Sequence, residues 1–308
     1  MGSGLDSGPR GARRDVKGRP RVPVAMEPFP LQGVSSRVRL NQGPEMPVLG
    51  LGVFQTAPGP ETRQAVAAAL EEGYRLIDTA AMYGNEADVG TAIRESKVPR
   101  ADAFVTTKLW HTDHGYDAAK KACHRSLDLL GLEYIDLYLI HWPRANSPSD
   151  RLASWKALEE LKSAGICRAV GVSNYSVRHL EELGAHSSLA PAVNQVEFHP
   201  FVYDPELVEY CARHGIQLEA YSPLTRNRRL DDPVVGAIAR ARNRTPAQVL
   251  IRWGLQHGVV EIPKSVRRER IRENARVFDF ALSSEEMGRL DSLRDRRRVT
   301  QWDPTEIP

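Results

Sequence analysis

The sequence predicts an α/β protein, a (β/α)8 TIM barrel with an N-terminal β-hairpin and two additional helices. Three observations predict it. Short strand-like runs recur at 48–53, 75–78, 103–108, 134–140, 168–174, 192–198, 216–222 and 259–264. Most are nearly continuous in apolar residues, as strands buried on both faces are. Helical patterns separate them, and that alternation implies parallel pairing through right-handed crossovers. Units of this number close naturally into a barrel.

Residues 1–35 carry no hydrophobic period and are rich in Gly, Pro and Arg. They read as a disordered basic tail or extension. The segment lacks the apolar stretch of a secretory signal, and Asp6 and Asp15 weaken a transit-peptide reading. Met26 offers an alternative start. The single barrel domain is expected over 36–308. It opens on a hairpin from Val38 to Val48, turned by Asn41–Pro44. The crossover helices are expected at Thr62–Glu72, from near Asn85, and at Tyr116–Leu130, Ser154–Ala164, Val177–Leu183, Pro205–His214, Pro246–Gln256 and Arg268–Ala275. The additional helices fall near 231–243 and 283–293. A doubly wound nucleotide-binding sheet is the competing architecture. It requires G-x-G-x-x-G after the first strand. Gly50-Leu-Gly-Val-Phe-Gln55 lacks the third glycine, and no helix starts there.

Composition narrows the function classes. The chain has 308 residues, 41% of them hydrophobic, which is enough for a packed core. No apolar run reaches the ~18 residues of a membrane helix. A net charge of +3 is small for this length and gives no case for nucleic acid. Cys123, Cys167 and Cys211 form no disulfide framework and fit a reducing, cytoplasmic setting. No metal motif is present. Oligomerisation has no heptad or long apolar edge to suggest it, so a monomer is expected.

The chemistry lies where strands end. Asp78 closes the second strand, Tyr83 follows on the next loop, Lys108 closes the third and His141 the fourth. In a barrel these positions converge. A phenol titrates near ~10, too high for easy proton donation, and a nearby ammonium lowers that value. Asp78 supplies the counter-charge that a buried lysine needs. A neutral His141 can orient a substrate oxygen. Singly, each residue has a bland explanation: Tyr83 packs, Lys108 reaches for solvent, His141 is a satisfied core histidine. Jointly, they read as a proton donor and a carbonyl-positioning pocket.

From about residue 37 onward the chain resembles the aldo-keto reductases. The matching runs are Gly73-Tyr-Arg-Leu-Ile-Asp-Thr-Ala-Ala-Met-Tyr-Gly-Asn-Glu86, Thr107-Lys-Leu-Trp110, Leu137-Tyr-Leu-Ile-His-Trp-Pro143, Gly171-Val-Ser-Asn-Tyr175, Asn194-Gln-Val-Glu-Phe-His-Pro200 and Ile262-Pro-Lys-Ser265. The resemblance implies reduction of aldehydes and ketones with NADPH/NADP. It implies Tyr83 as general acid, Asp78 and Lys108 as its tuning pair, and His141 as substrate orienter. Ser173, Asn174 and Gln195 would hold the nicotinamide carboxamide, and Tyr221 would stack on its ring. Ser222 and Leu224 match pyrophosphate-contacting positions. Lys264, Ser265 and Arg270 would grip the 2′-phosphate, with Glu273 and Asn274 near the adenine. Phe54, Trp110 and Trp142 would line the substrate pocket. Arg296-Arg-Arg298 reads as solvated surface. The short stretch Pro223–Leu230 and short tail resemble the compact members, the glyoxal/methylglyoxal and diketogluconate reductase-like ones, acting on small aldehydes, α-dicarbonyls or keto sugars. The alternative is a cofactor-binding regulatory or structural barrel protein with little turnover.

Overall fold

The computed structural model describes residues 26, 28–300 and 302–308. The basic segment 1–25 lies outside the described residues. Packing starts earlier than the expected boundary at residue 36. Met26 and Phe29 are each only 7% exposed and join the core, and Leu31 and Val34 pack against it. These isolated apolar residues follow no helical or strand period, which is why the sequence pattern passes over them.

The hairpin is β1 (Arg37–Arg39) against β2 (Glu45–Pro47). Its tip ties to the chain just ahead of a later strand: Asn41 donates to the Pro191 carbonyl and Gln42 to that of Ala190. The hairpin therefore covers the end of the barrel where strands begin, opposite the end that carries the chemistry.

The barrel strands are β3 (Gly50–Gly52), β4 (Leu76–Asp78), β5 (Phe104–Leu109), β6 (Ile135–Ile140), β7 (Cys167–Ser173), β8 (Val193–Glu197), β9 (Gln217–Tyr221) and β10 (Val260–Glu261). Each pairs in parallel with its neighbour in sequence. Parallel bridges Leu49–Glu261 and Gly52–Lys264 bring the first strand back to the last. Glycine makes that closure possible. A Cβ on Gly52 would lie 2.9 Å from the Ile262 carbonyl oxygen.

The outer ring comprises α1 (Pro60–Glu71), α2 (Glu86–Glu95), α3 (Tyr116–Leu130), α4 (Pro148–Ser163), α5 (Val177–His186), α6 (Pro205–Arg213), α7 (Pro233–Arg242), α8 (Pro246–Gln256), α9 (Arg268–Ala275) and α10 (Ser284–Asp291). Helices α7 and α10 are the two additions. Helix α4 starts at Pro148, ahead of the expected Ser154. Ser147 caps it by accepting from the Asp150 amide, and Pro148 takes the first turn. That start signal precedes the apolar period, which is why the period alone places the helix too late.

Candidate active site

Strand β4 ends in Asp78, and the chain then turns through Ala81–Tyr83 before α2. Asn85 holds this turn by donating to the Val53 carbonyl and to Thr56, while Thr79 donates to its side-chain oxygen. The turn thus fixes Tyr83 over the strand ends. Lys108 Nζ reaches in from β5 and donates to Asp78 Oδ1 at 2.7 Å, to the Thr79 carbonyl at 2.9 Å and to Tyr83 Oη at 3.3 Å. His141 follows β6, with its ring 5.7 Å from that of Tyr83, edge to face. The four expected catalytic residues are therefore together.

The electrostatics depart from expectation at Tyr83. Burial pushes its phenol up to about 12, and Lys108 pulls it down by less than burial raises it. The ammonium alone would lower the phenol, but the cost of burying a phenolate outweighs it. Burial also pulls Lys108 down, but Asp78 and Tyr83 together outweigh it, so the ammonium is retained. Burial pushes Asp78 up against the pulls of Lys108 and Gln195. His141 is driven well below the usual histidine range by burial, then by Lys108 and His111, and is neutral at pH 7.

Above these residues opens a cavity of about 540 Å³. Phe54, Trp110 and Trp142 line it, as expected. So does Trp302, which was not expected to. Trp302 stacks on Trp110 at 6.3 Å and meets Trp142 edge-on at 5.1 Å. The segment carrying it is tied down by Glu197, which accepts from the Val299 amide and the Thr300 hydroxyl. Arg298 pairs with Asp303 at 3.5 Å and is half-buried, so the run 296–298 is not all solvated surface. A lone tryptophan in a polar tail was the available signal for this wall.

The expected cofactor residues fall into two groups. Asn174, Gln195, Tyr221, Ser222, Leu224 and Lys264 line the same cavity. Ser173 lies beneath them, donating to the Gln195 carbonyl at 2.8 Å. Tyr221 Oη donates to Asn174 Oδ1 at 2.8 Å, which sets the ring against the cavity. Ser265, Arg270, Glu273 and Asn274 do not line it; they sit beyond it, on and just before α9. Of the α9 arginines, Arg268 is held by Glu71 and Arg272 by Glu72. Arg270 has no acidic partner among the described residues and is exposed. Glu273 accepts from Thr245 Oγ1 at 2.6 Å and so braces α9 against the start of α8.

The loop after β9 is strained. Ser222, Thr225, Arg226 and Asn227 all hold positive φ, between 50° and 63°, without a glycine among them. Such strain gathers at functional sites. Arg226 of this loop lines the cavity and lies over the Phe54 ring at 5.5 Å. No sequence signal marked it. Among the described residues no cluster of His, Cys, Asp and Glu suits a metal ion, and no helix is long and apolar enough to cross a membrane.

The residues present fit a dinucleotide. An acceptor, Gln195 Oε1, is left at the cavity, the Tyr221 ring flanks it, and Lys264, with no acidic partner among the described residues, lines it too. Comparison with known proteins agrees. The aldo/keto reductase family model matches residues 48–295. A glyoxal reductase of Bacillus subtilis is 51% identical over 85% of this chain and 94% of its own length. The morphine 6-dehydrogenase of Pseudomonas putida is 47% identical over 90% of this chain and 97% of its own. A variant of Gox0644 solved in complex with NADPH superposes with a TM-score of 0.83 at 39% identity, covering 88% of this chain and 98% of that one. By sequence and by structure, the chain belongs to the aldo/keto reductase family and is an NADP-dependent oxidoreductase that reduces carbonyl groups.

Proposed function

We propose that this enzyme reduces small aldehydes, α-dicarbonyls or keto sugars to alcohols with Tyr83 as the proton donor. One observation carries the reading: Tyr83, Lys108 and Asp78 form one hydrogen-bonded array beside a neutral His141, under an aromatic cavity. NADPH supplies the hydride. Asn174, Ser173 and Gln195 hold the nicotinamide end, with Tyr221 flanking the ring. Lys264, Ser265 and Arg270 take the 2′-phosphate, and Glu273 and Asn274 stand near the adenine. His141, kept neutral by burial and by Lys108, donates a hydrogen bond to the carbonyl oxygen and aims it at Tyr83. Tyr83 Oη passes its proton to that oxygen as it gains negative charge. Lys108 stabilises the phenolate left behind, and Asp78 keeps Lys108 charged.

The walls support a compact substrate. Phe54, Trp110, Trp142 and Trp302 bound the cavity with flat apolar faces, and Arg226 stands at its edge. The glyoxal reductase relative fits the same class. Loss of reduced-nicotinamide absorbance with glyoxal, methylglyoxal, simple aldehydes and keto sugars tests the reading. Turnover of none of them would overturn it. We further propose a cytoplasmic monomer. Three free, buried thiols support a reducing setting, and the large exposed apolar residues Met82, Leu129 and Val266 are scattered singly. A dimer in solution would refute the second part.

A further inference from the structure

Beneath the array lies a carboxyl that the mechanism does not use. Gln195 donates through one amide nitrogen to two acids, Asp78 Oδ2 at 2.7 Å and Glu219 Oε2 at 2.8 Å. Glu219 comes from the middle of β9 and is fully buried. Its other oxygen, Oε1, has no partner among the described residues. An amide nitrogen carries two hydrogens, so these two acids saturate it. The amide oxygen of Gln195 is thereby turned to the ligand cavity.

We propose that Glu219 is a positioning residue for carbonyl reduction: its carboxyl fixes the Gln195 amide, and its charge acts on Tyr83 through the barrel interior. The inference rests on Tyr83 as proton donor and Gln195 as a nicotinamide contact.

The charges around Glu219 decide its state. Asp78 faces it from β4, Lys108 from β5, Gln195 from β8, Glu261 from β10, and Tyr83 from the turn above. Lys108 acts on both Asp78 and Glu219, and Asp78 holds it. Glu261 lies outside the wall against Gly254 of α8, and both its oxygens lack partners among the described residues. Burial, with Asp78, drives Glu219 up to about 8, over the pulls of Gln195 and Lys108. At neutral pH Glu219 is therefore a neutral acid, and the unpartnered Oε1 carries its proton. Ionising it adds a negative charge that raises the Tyr83 phenol and makes it a poorer acid. Reduction should then decline as pH rises through the Glu219 titration, well before Tyr83 itself ionises.

Two variants separate the roles. Glu219→Gln keeps an acceptor for Gln195 and removes the titration. Glu219→Leu removes both. Fluorescence titration should give Glu219→Gln cofactor dissociation constants close to wild type. Glu219→Leu should bind NADPH and NADH about tenfold more weakly, both alike, since one oriented hydrogen bond is lost far from the 2′-phosphate. The profile of kcat/KM for reduction against pH should bend downward near 8 in wild type and lose that bend in Glu219→Gln. The infrared difference between wild type and Glu219→Gln at neutral pH should show the stretch of a protonated carboxyl. A carboxylate band there, a bend retained in Glu219→Gln, or wild-type affinity in Glu219→Leu would each overturn the proposal. The binding and infrared measurements need no turnover, so they judge Glu219 even if the reading of Tyr83 fails.

Discussion

Lys108 Nζ stands 2.7 Å from Asp78 Oδ1, and both side chains are buried. A buried pair of this kind is a poor way to gain stability, because desolvating both charges offsets most of their attraction. Its use lies in what it does to Tyr83, 3.3 Å from the same ammonium. Burial alone would leave the phenol an even weaker acid, and Lys108 is the group that offsets it.

Tyr83→Phe keeps the ring against Phe54, at 4.9 Å, and removes the hydroxyl that carries the proton. Carbonyl reduction should fall by about 10²–10⁴-fold, the usual worth of general acid catalysis. NADPH affinity should stay near wild type. Steady-state kinetics beside a cofactor titration check both; a variant within about threefold of wild type would sink the assignment.

Much of this was legible in the residues. The eight barrel strands are local apolar runs, Asp78, Lys108 and His141 stand at or beside their ends, and Tyr83 follows on the next turn. Trp302 and Arg226 were not legible, because each reaches the cavity through a loop whose path depends on the rest of the fold. Glu219 alternates with Leu218 and Ala220 along Gln217–Tyr221, a pattern that reads as a solvent-facing acid, and only closure of the barrel turns that face inward. The net rise of the Tyr83 phenol was hidden for a related reason: sequence shows which charges are near, while burial is a property of the whole barrel.

Truncation should separate the two parts of the N-terminal segment. Removing residues 1–25 should leave the melting temperature and activity unchanged. Removing 1–34 takes away Met26 and Phe29, both buried in the core. Each fully buried side chain of this size contributes about 1.5–3 kcal/mol. The longer truncation should therefore melt several degrees lower by calorimetry. Equal melting temperatures for the two would show that Met26 and Phe29 add nothing.

His179 should make the enzyme sensitive to mild acid. Its Nδ1 accepts from the Ser176 amide at 3.2 Å, at the start of α5, and its Nε2 contacts the Ile307 carbonyl at 3.0 Å. The neutral ring satisfies both if Nε2 carries the hydrogen. Burial, then Arg151 and Arg178, pull the ring from 6.5 down to about 4. As pH falls, the unfolded chain takes the proton first. The stability due to neutral His179 is complete above 6.5 and is lost between 6.5 and about 4. Urea midpoints across that window should drop less steeply in His179→Asn than in wild type. Parallel curves would refute the assignment.

The preference for NADPH over NADH should reside in Lys264 and Arg270. Helix α9 carries several arginines, but Glu71 and Glu72 neutralise Arg268 and Arg272. Arg270 is exposed and has no acidic partner among the described residues. Lys264 lines the cavity itself. A 2′-phosphate gives both cations a partner, and NADH gives them none. Charge-assisted hydrogen bonds contribute about 1.5–3 kcal/mol each, so partial engagement of the two gives a preference of about a hundredfold. Arg270→Ala should raise the NADPH dissociation constant and barely move that of NADH. Arg272→Ala removes a cation already paired with Glu72 and should move neither. Added salt should weaken NADPH binding more than NADH binding, because the contact is ionic and partly exposed. Fluorescence titration of both cofactors against the three proteins decides it. Equal wild-type affinities, or an Arg270→Ala variant that loses both cofactors alike, would show that these cations do not read the phosphate.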